Sequence, residues 1–555
     1  MIRKGSRCKG AALSKQVFTR LFKMVNPMNE FDYVIVGAGS AGCVLANRLT
    51  ENAAVSVCLI EAGPSDKSIF IKMPAALTFP IESDVFNWKF ESEPEPELHD
   101  RVIGQARGRC LGGSSSINGM VYVRGDKRDY DNWRTLGVEG WNFADCLPYF
   151  RKMESFENGA DPARGGNGPI TVKRSKADHP LYQSFLEAGQ QFGLANAGDY
   201  NSGNQEGVHV TQATIRNGVR CSTSLAYLKP AIRRPNLTVL TDCLVERINL
   251  NNGVATGVTV RQKGEQKVIH AATEVVLCAG TVGSPHLLML SGIGDREQLA
   301  AHGVDCQVHL AGVGADLQDH VVAPLRFRSP QGVSICKELN TLGRLKLGVQ
   351  WSLFKTGLGA TPFFEVGSFF KSSDDVDYFN MQHEFLPFLA DFQSGKVHIA
   401  DGFQYFVSQM RPHSRGSISL RSANPQHKPV IRFNYLTDPR DVTQMVGGIR
   451  KTLEMVDQPA WARYRGASID TPAIGASDNE LAAWLRQVAN TEHHPTSTCR
   501  MGTDDKAVTD NQGRVHGVSQ LRVVDGSILP RVPTANINAP IIMAAEKIAA
   551  TMSGR

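Results

Sequence analysis

The chain has 555 residues, 42% of them hydrophobic and 21% charged, which is the make-up of a globular protein of two or three domains or one discontinuous domain with insertions. No apolar run reaches the roughly 18 to 20 residues of a membrane-spanning helix. The 11 cysteines form neither a C-x-x-C pair nor a Cys/His cluster, so no disulfide framework or metal centre is expected, and a reducing compartment such as the cytoplasm fits.

The net charge of +6 resides at the start of the chain. Residues 1–27 carry seven bases (Arg3, Lys4, Arg7, Lys9, Lys15, Arg20 and Lys23) and no acid, and removing these seven of the 60 leaves 53 basic against 54 acidic residues. A near-neutral body does not suit nucleic acid. Within this tail Leu13, Val17, Phe18, Leu21, Phe22 and Val25 fall at helical spacing. They predict a basic amphipathic helix for peripheral membrane contact or an import receptor. The other reading is upstream sequence, because Met24 and Met28 both precede the first strand closely.

From Asp32 to Leu49 a β-branched strand turns through Gly37-x-Gly39-x-x-Gly42 into a helix. Gly37 permits the turn, Gly39 lets backbone approach a pyrophosphate, and Gly42 lets helix and sheet pack closely, with Ser40 and Ala41 at the helix start facing the phosphates. A second strand, Val55 to Gly63, carries Glu61 and Ala62 nineteen and twenty residues after Gly42. A carboxylate there binds ribose hydroxyls and argues against the 2′-phosphate of NADP. A dinucleotide site follows, without deciding between FAD and NAD.

Two further segments, GRCLGGSSSINGMVYVRG from Gly108 and AGTVGSPHLLMLSGIG from Ala279, resemble the two diagnostic motifs of the glucose-methanol-choline (GMC) family of FAD oxidoreductases. GVGADLQDH, ending at His320, and RVHGVSQLRVVDGSILP, from Arg514, are similar to the same family, so the resemblance runs from Phe31 through nearly the whole chain. It implies that Gly113, Ser114, Asn118, Gly119, Met120 and Val121 lie beside the flavin. It also implies that Val245 meets adenine and that Asp525, Gly526, Asn536 and Ala539 complete the cofactor site. Ile117 occupies the position where some members attach flavin covalently through histidine; isoleucine forms no such bond, so the FAD is expected to be non-covalent. MPAALTFP, FNWKFESEPEPE, GPITVKRSK and SRGSISLRS are similar to the choline-oxidising branch, and TIRNGVRCSTSLAYLKP to sugar-alcohol dehydrogenases.

Alternating runs between about Ala323 and Asn490 predict antiparallel strands that roof the flavin. The expected fold is mixed α/β: a Rossmann-like FAD-binding domain made from discontinuous segments, and an antiparallel-sheet substrate domain. The expected boundaries are 28–322 for the FAD domain, with substrate-side insertions near 150–215, then 323–490 for the substrate domain, then 491–555 returning to the FAD domain. Ser477 and Glu480 form a capping box that starts a helix leading towards His494.

The resemblance makes His494 the base that takes the alcohol proton as hydride leaves for the flavin, and Asn536 the donor to the substrate oxygen. Chemistry agrees, because imidazole has a large neutral fraction near neutral pH and an amide N–H stabilises developing negative charge. Glu365, with Phe363, Phe364 and either Trp351 or Phe385, resembles the site for a quaternary ammonium group. His493 stands where choline-oxidising relatives carry tyrosine or phenylalanine; in an extended segment it would face away from His494, and no metal is expected there. The expectation is oxidation of a primary alcohol, choline or similar, to an aldehyde, with a quinone or other electron carrier as acceptor. Neutral or sugar-alcohol dehydrogenases, oxygen-using oxidases and hydroxynitrile lyases are the alternatives.

Overall fold

The computed structural model describes residues 29–330, 332–391 and 398–554. The helix expected within residues 1–27 lies outside them. Two seven-stranded sheets organise the molecule. In the first, the strands Leu237–Leu240, Val57–Ile60, Glu30–Val36 and Glu265–Leu277 lie side by side in parallel, and Leu521–Val523 also pairs with the last of these. An antiparallel extension, Val254–Gln262 and Cys243–Asn251, completes it.

This sheet is assembled from distant segments because its central strands are apolar on both faces. Val34, Ile35 and Val36 are at most 5% exposed, and Val57 to Ile60 at most 1%, as expected for parallel strands covered on both sides. The register sets Val36 beside Ile60 and Leu277, Ile60 beside Leu240, and Leu277 beside Val523. The C-terminal ends of five strands therefore line up, and the crevice beyond them is where open α/β sheets bind ligands. The helix Ser40–Leu49 leaves that edge and packs against the last helix, Asn538–Met552. Ser40 Oγ meets Asn538 Oδ1 at 2.7 Å, and Arg48 forks onto the buried Glu546 carboxylate.

The second sheet has the order Ser468–Ile469, Val321–Phe327, Phe403–Gln409, Met381–Leu386, Val366–Phe370, Gly207–Val210, and all its neighbours are antiparallel. Strand alternation gives it two unlike faces. One packs into an aromatic core of Phe185, Phe385, Tyr405 and Trp461, with Trp461 stacked on Phe403 at 4.2 Å. The other turns Val322, Pro324, Arg326, Glu384, Gln404 and Phe406 towards the first sheet. The capping box forms as expected: Ser477 accepts from the Glu480 amide and the Glu480 carboxylate accepts from the Ser477 amide. Its helix, Asp478–Val488, delivers the chain to Asn490–Thr491 at the edge of the second sheet. No helix among the described residues is long and apolar enough to cross a membrane.

Candidate active site

A cavity of about 1050 Å³ separates the two sheets. At its inner end lie the aligned strand ends and the glycine-rich loops. Gly37, Gly39, Ser40, Ala41, Glu61, Ala62, Gly113, Ser114, Asn118, Gly119, Met120, Val121, Val245, Asp525, Gly526 and Asn536 all line it. Gly42 and Ala539 do not border the cavity. A Cβ on Gly42 would lie 2.0 Å from the Gly37 carbonyl oxygen, so this glycine lets helix and turn touch. Ala539 is buried in the first turn of the last helix and contributes packing.

Gly113 has φ +51°, and a Cβ there would stand 2.7 Å from the Gly39 Cα. The two glycine loops are thus in direct contact. The N-cap of helix Ser40–Leu49 is Gly39, which offers no side-chain acceptor, so the first-turn N–H groups face the cavity uncapped. Glu61 accepts from the Ala38 and Gly63 amides, and burial pushes its carboxyl up to about 7. Asp525 spends its carboxylate internally, accepting from Gly280 N, Ser284 Oγ and Ser527 N, and so fastens its own turn to the helix Gly280–Leu290.

At the boundary of the two sheets, Asn536 Nδ2 lies 3.4 Å from His494 Nε2. The Asn536 amide is oriented by the roof: Nδ2 donates to Glu384 Oε1 at 3.0 Å, and Oδ1 accepts from Gln382 Nε2 at 3.3 Å. With an N–H aimed at it, His494 Nε2 carries the lone pair. His494 Nδ1 is then the protonated nitrogen, facing His320 Nδ1 at 3.1 Å, a tautomer assigned from the hydrogen-bond network. Burial, then the neighbouring His320, Arg107 and His493, hold the His494 pKa well below its ordinary value, so the ring is neutral and ready to accept a proton. Asp319 anchors the loop, accepting from the His494 amide at 2.7 Å, Thr491 Oγ1 at 2.5 Å and Tyr435 OH at 2.6 Å.

The substrate side departs from expectation. Glu365 is 6% exposed and does not border the cavity; its carboxylate accepts from the Ala177 amide at 2.7 Å. Of the aromatic residues grouped with it, only Phe364 lines the cavity. Phe385 sits in the aromatic core, Phe363 packs edge-on to Phe388, and Trp351 donates to the Gly218 carbonyl. Of the carboxylates that line the cavity, Glu384 and Glu492 are the two beside Asn536 and the His493–His494 pair. Glu492 accepts from Ser408 Oγ, and burial, followed by the Glu384 charge, pushes it up to about 8. Burial raises Glu384 as well. Arg326 reaches the same cavity further along the roof with its Nε unpartnered. His493 has φ +61°, so the segment is not extended and both histidines border one cavity, contrary to the opposite-face expectation. The backbone carbonyl of His493 accepts from Arg107 Nη2 at 2.5 Å.

Comparison with known proteins interprets this arrangement. Two family models, each described as GMC oxidoreductase, match residues 31–322 and 412–545. The chain belongs to the GMC oxidoreductase family. Over 528 residues it is 44% identical to the oxygen-dependent choline dehydrogenase of Photobacterium profundum, covering 94% of this chain and 93% of that one. The protein of the same description from Brucella suis is also 44% identical, covering 95% and 96%. Among solved structures, pyridoxine 4-oxidase from Mesorbium loti superposes with a TM-score of 0.85 at 29% identity, covering 95% and 99%. Formate oxidase of Aspergillus oryzae gives 0.89 at 25%, covering 96% and 99%.

As a GMC oxidoreductase the protein is an FAD-dependent, alcohol-oxidising enzyme. The residues present fit that cofactor: an uncapped helix N-terminus for the diphosphate, a carboxylate for ribose, and a loop of small residues from Gly112 to Met120 along one wall. Sequence reasoning missed Asp319, His320, Gln382, Glu384 and Glu492. The GVGADLQDH segment containing the first two was already conspicuous as a family match; the other three carry no local signal, because their partners lie far away in the chain.

Proposed function

We propose that this enzyme oxidises choline, or a closely related cationic primary alcohol, to its aldehyde. FAD is held non-covalently and accepts the hydride when bound. The observation that carries the reading is the meeting of the His494 Nε2 lone pair and the Asn536 N–H, 3.4 Å apart, where the glycine-lined cradle opens into the roofed cavity. An alcohol oxygen placed between them gives its proton to His494 and is steadied by Asn536 as charge develops on it. The roof above, with the His494 loop pinned by Asp319, keeps bulk water from the reacting carbon.

The cation is assigned to Glu384 and Glu492 in place of Glu365. Glu384 touches Asn536, so a hydroxyl held by Asn536 brings a cation two carbons away within reach of that carboxylate. The curated relatives, described as choline dehydrogenases, support this substrate class. A quinone or similar carrier is proposed as the acceptor; the relatives' description as oxygen-dependent makes molecular oxygen the comparison to run beside it.

The test is anaerobic stopped-flow bleaching of the flavin by choline beside its neutral isostere 3,3-dimethyl-1-butanol. Saturable bleaching with choline preferred is expected, and His494→Ala should slow it by at least about two decades while retaining FAD. Bleaching by the neutral alcohol alone would overturn the substrate, and a wild-type rate in His494→Ala would overturn the base.

A further inference from the structure

The helix Thr341–Phe354 wears its apolar residues outward. Leu342, Leu345, Val349 and Leu353 follow at i, i+3, i+7 and i+11 and, with Phe354, are 76, 65, 51, 68 and 69% exposed. Its inner side is already satisfied: Trp351 and Leu347 cluster with Met73, Ala76 and Ala360. An isolated exposed leucine is ordinary, but five such residues on one 14-residue helix form a patch that calls for a covering.

The patch continues beyond the helix. Met73 and Ala76, beneath Trp351, belong to the turn between two short helices, Ile69–Lys72 and Thr78–Glu82. Those helices expose Ile69, Phe70 and Phe79, the last two stacked at 4.5 Å. From the same short helix, Thr78, Ile81 and Glu82 border the active-site cavity. The apolar surface therefore adjoins the cavity rim.

Charge identifies the occupant. From Leu339 to Phe364 the chain has no acidic residue and carries Arg344, Lys346 and Lys355. Lys346 is exposed within the apolar stripe, its long stem and charged tip suited to a headgroup layer, while the Lys355 ammonium is held over the Trp351 ring and donates to the Ser352 carbonyl. Leucine and phenylalanine outward on a helix whose only charged residues, Arg344 and Lys346, are basic is the composition of a helix that lies in a membrane interface. The geometry points to a docking face, built by Thr341–Phe354 with Phe70 and Phe79, for an anionic lipid surface. It is independent of which alcohol the enzyme oxidises, and it is separate from residues 1–27.

The test uses the full-length holoenzyme, so that the basic tail contributes equally throughout. Co-sedimentation is measured with vesicles of phosphatidylcholine alone and with added phosphatidylglycerol, for the wild type and for a Leu345→Ser, Leu353→Ser, Phe354→Ser triple variant. The wild type should bind the anionic vesicles in a salt-sensitive manner, and the triple variant should bind at least about tenfold more weakly with unchanged dye-linked activity. Equal binding by both proteins, or no binding by the wild type, overturns the proposal. So does light scattering that shows a wild-type dimer dissolved by the triple substitution without any vesicle binding, which would make the face a contact between copies.

Discussion

Glu384 and Glu492 face one cavity, and neither ionises without opposing the other's charge. Because Glu492 holds its proton up to about 8, a cation that needs the ionised pair binds with proton release. Apparent affinity for choline should therefore strengthen as pH rises through about 8 and level off above it, while affinity for 3,3-dimethyl-1-butanol stays flat. Glu492→Gln should abolish the choline slope and weaken choline by about tenfold, one unit of charge interaction at about 1.4 kcal/mol. Glu365→Gln should leave selectivity unchanged; the KM ratio of the two alcohols against pH decides both points. The histidines at the site, His320, His493 and His494, are all shifted by burial towards their neutral forms, so none of them supplies a competing slope near 8. The position of Glu365 was legible in the sequence but its direction was not. Adjacent residues of an extended chain face opposite ways, and here Phe364 takes the cavity side while Glu365 turns to Ala177.

The strand, turn and helix from Glu30 to Leu49 were legible because every partner lies within a few residues. At this scale the contact between Gly42 and Gly37 makes a sharp prediction. Gly42→Ala must push away the Gly37 carbonyl oxygen, which would lie only 2.0 Å from the new Cβ, an overpacking that costs about 1 to 3 kcal/mol. A lower thermal midpoint and a reduced flavin-to-protein absorbance ratio are expected; a variant purified with full flavin content and wild-type stability would refute this. The segment 490–497 behaved differently. Its composition marked His494, but its conformation follows from Asp319, Gln105 and Arg107, more than 170 residues away, which hold Thr491, His494 and the His493 carbonyl and permit φ +61° at His493.

At the scale of the molecule the two seven-stranded sheets face one large cavity, and flavin seated in its glycine-lined end would be contacted by both. With buried isoleucine at position 117, release of all the flavin on acid precipitation is expected; flavin remaining with the pellet would show a covalent bond elsewhere. Removing it should lower the thermal midpoint, since a ligand at about 100 times its Kd contributes about 2.7 kcal/mol; calorimetry of flavin-free and reconstituted protein measures the shift. The arrangement of the roof was legible only as alternation, because which strands pair depends on register across the sheet. The clasp between the helix Ser40–Leu49 and the final helix, through Ser40 with Asn538 and Arg48 with Glu546, also bears on how the protein is made. Ser40 and Arg48 wait for partners that leave the ribosome 498 residues after them. The nascent chain therefore cannot close this side of its nucleotide crevice until the 498 residues that separate the partners have been made.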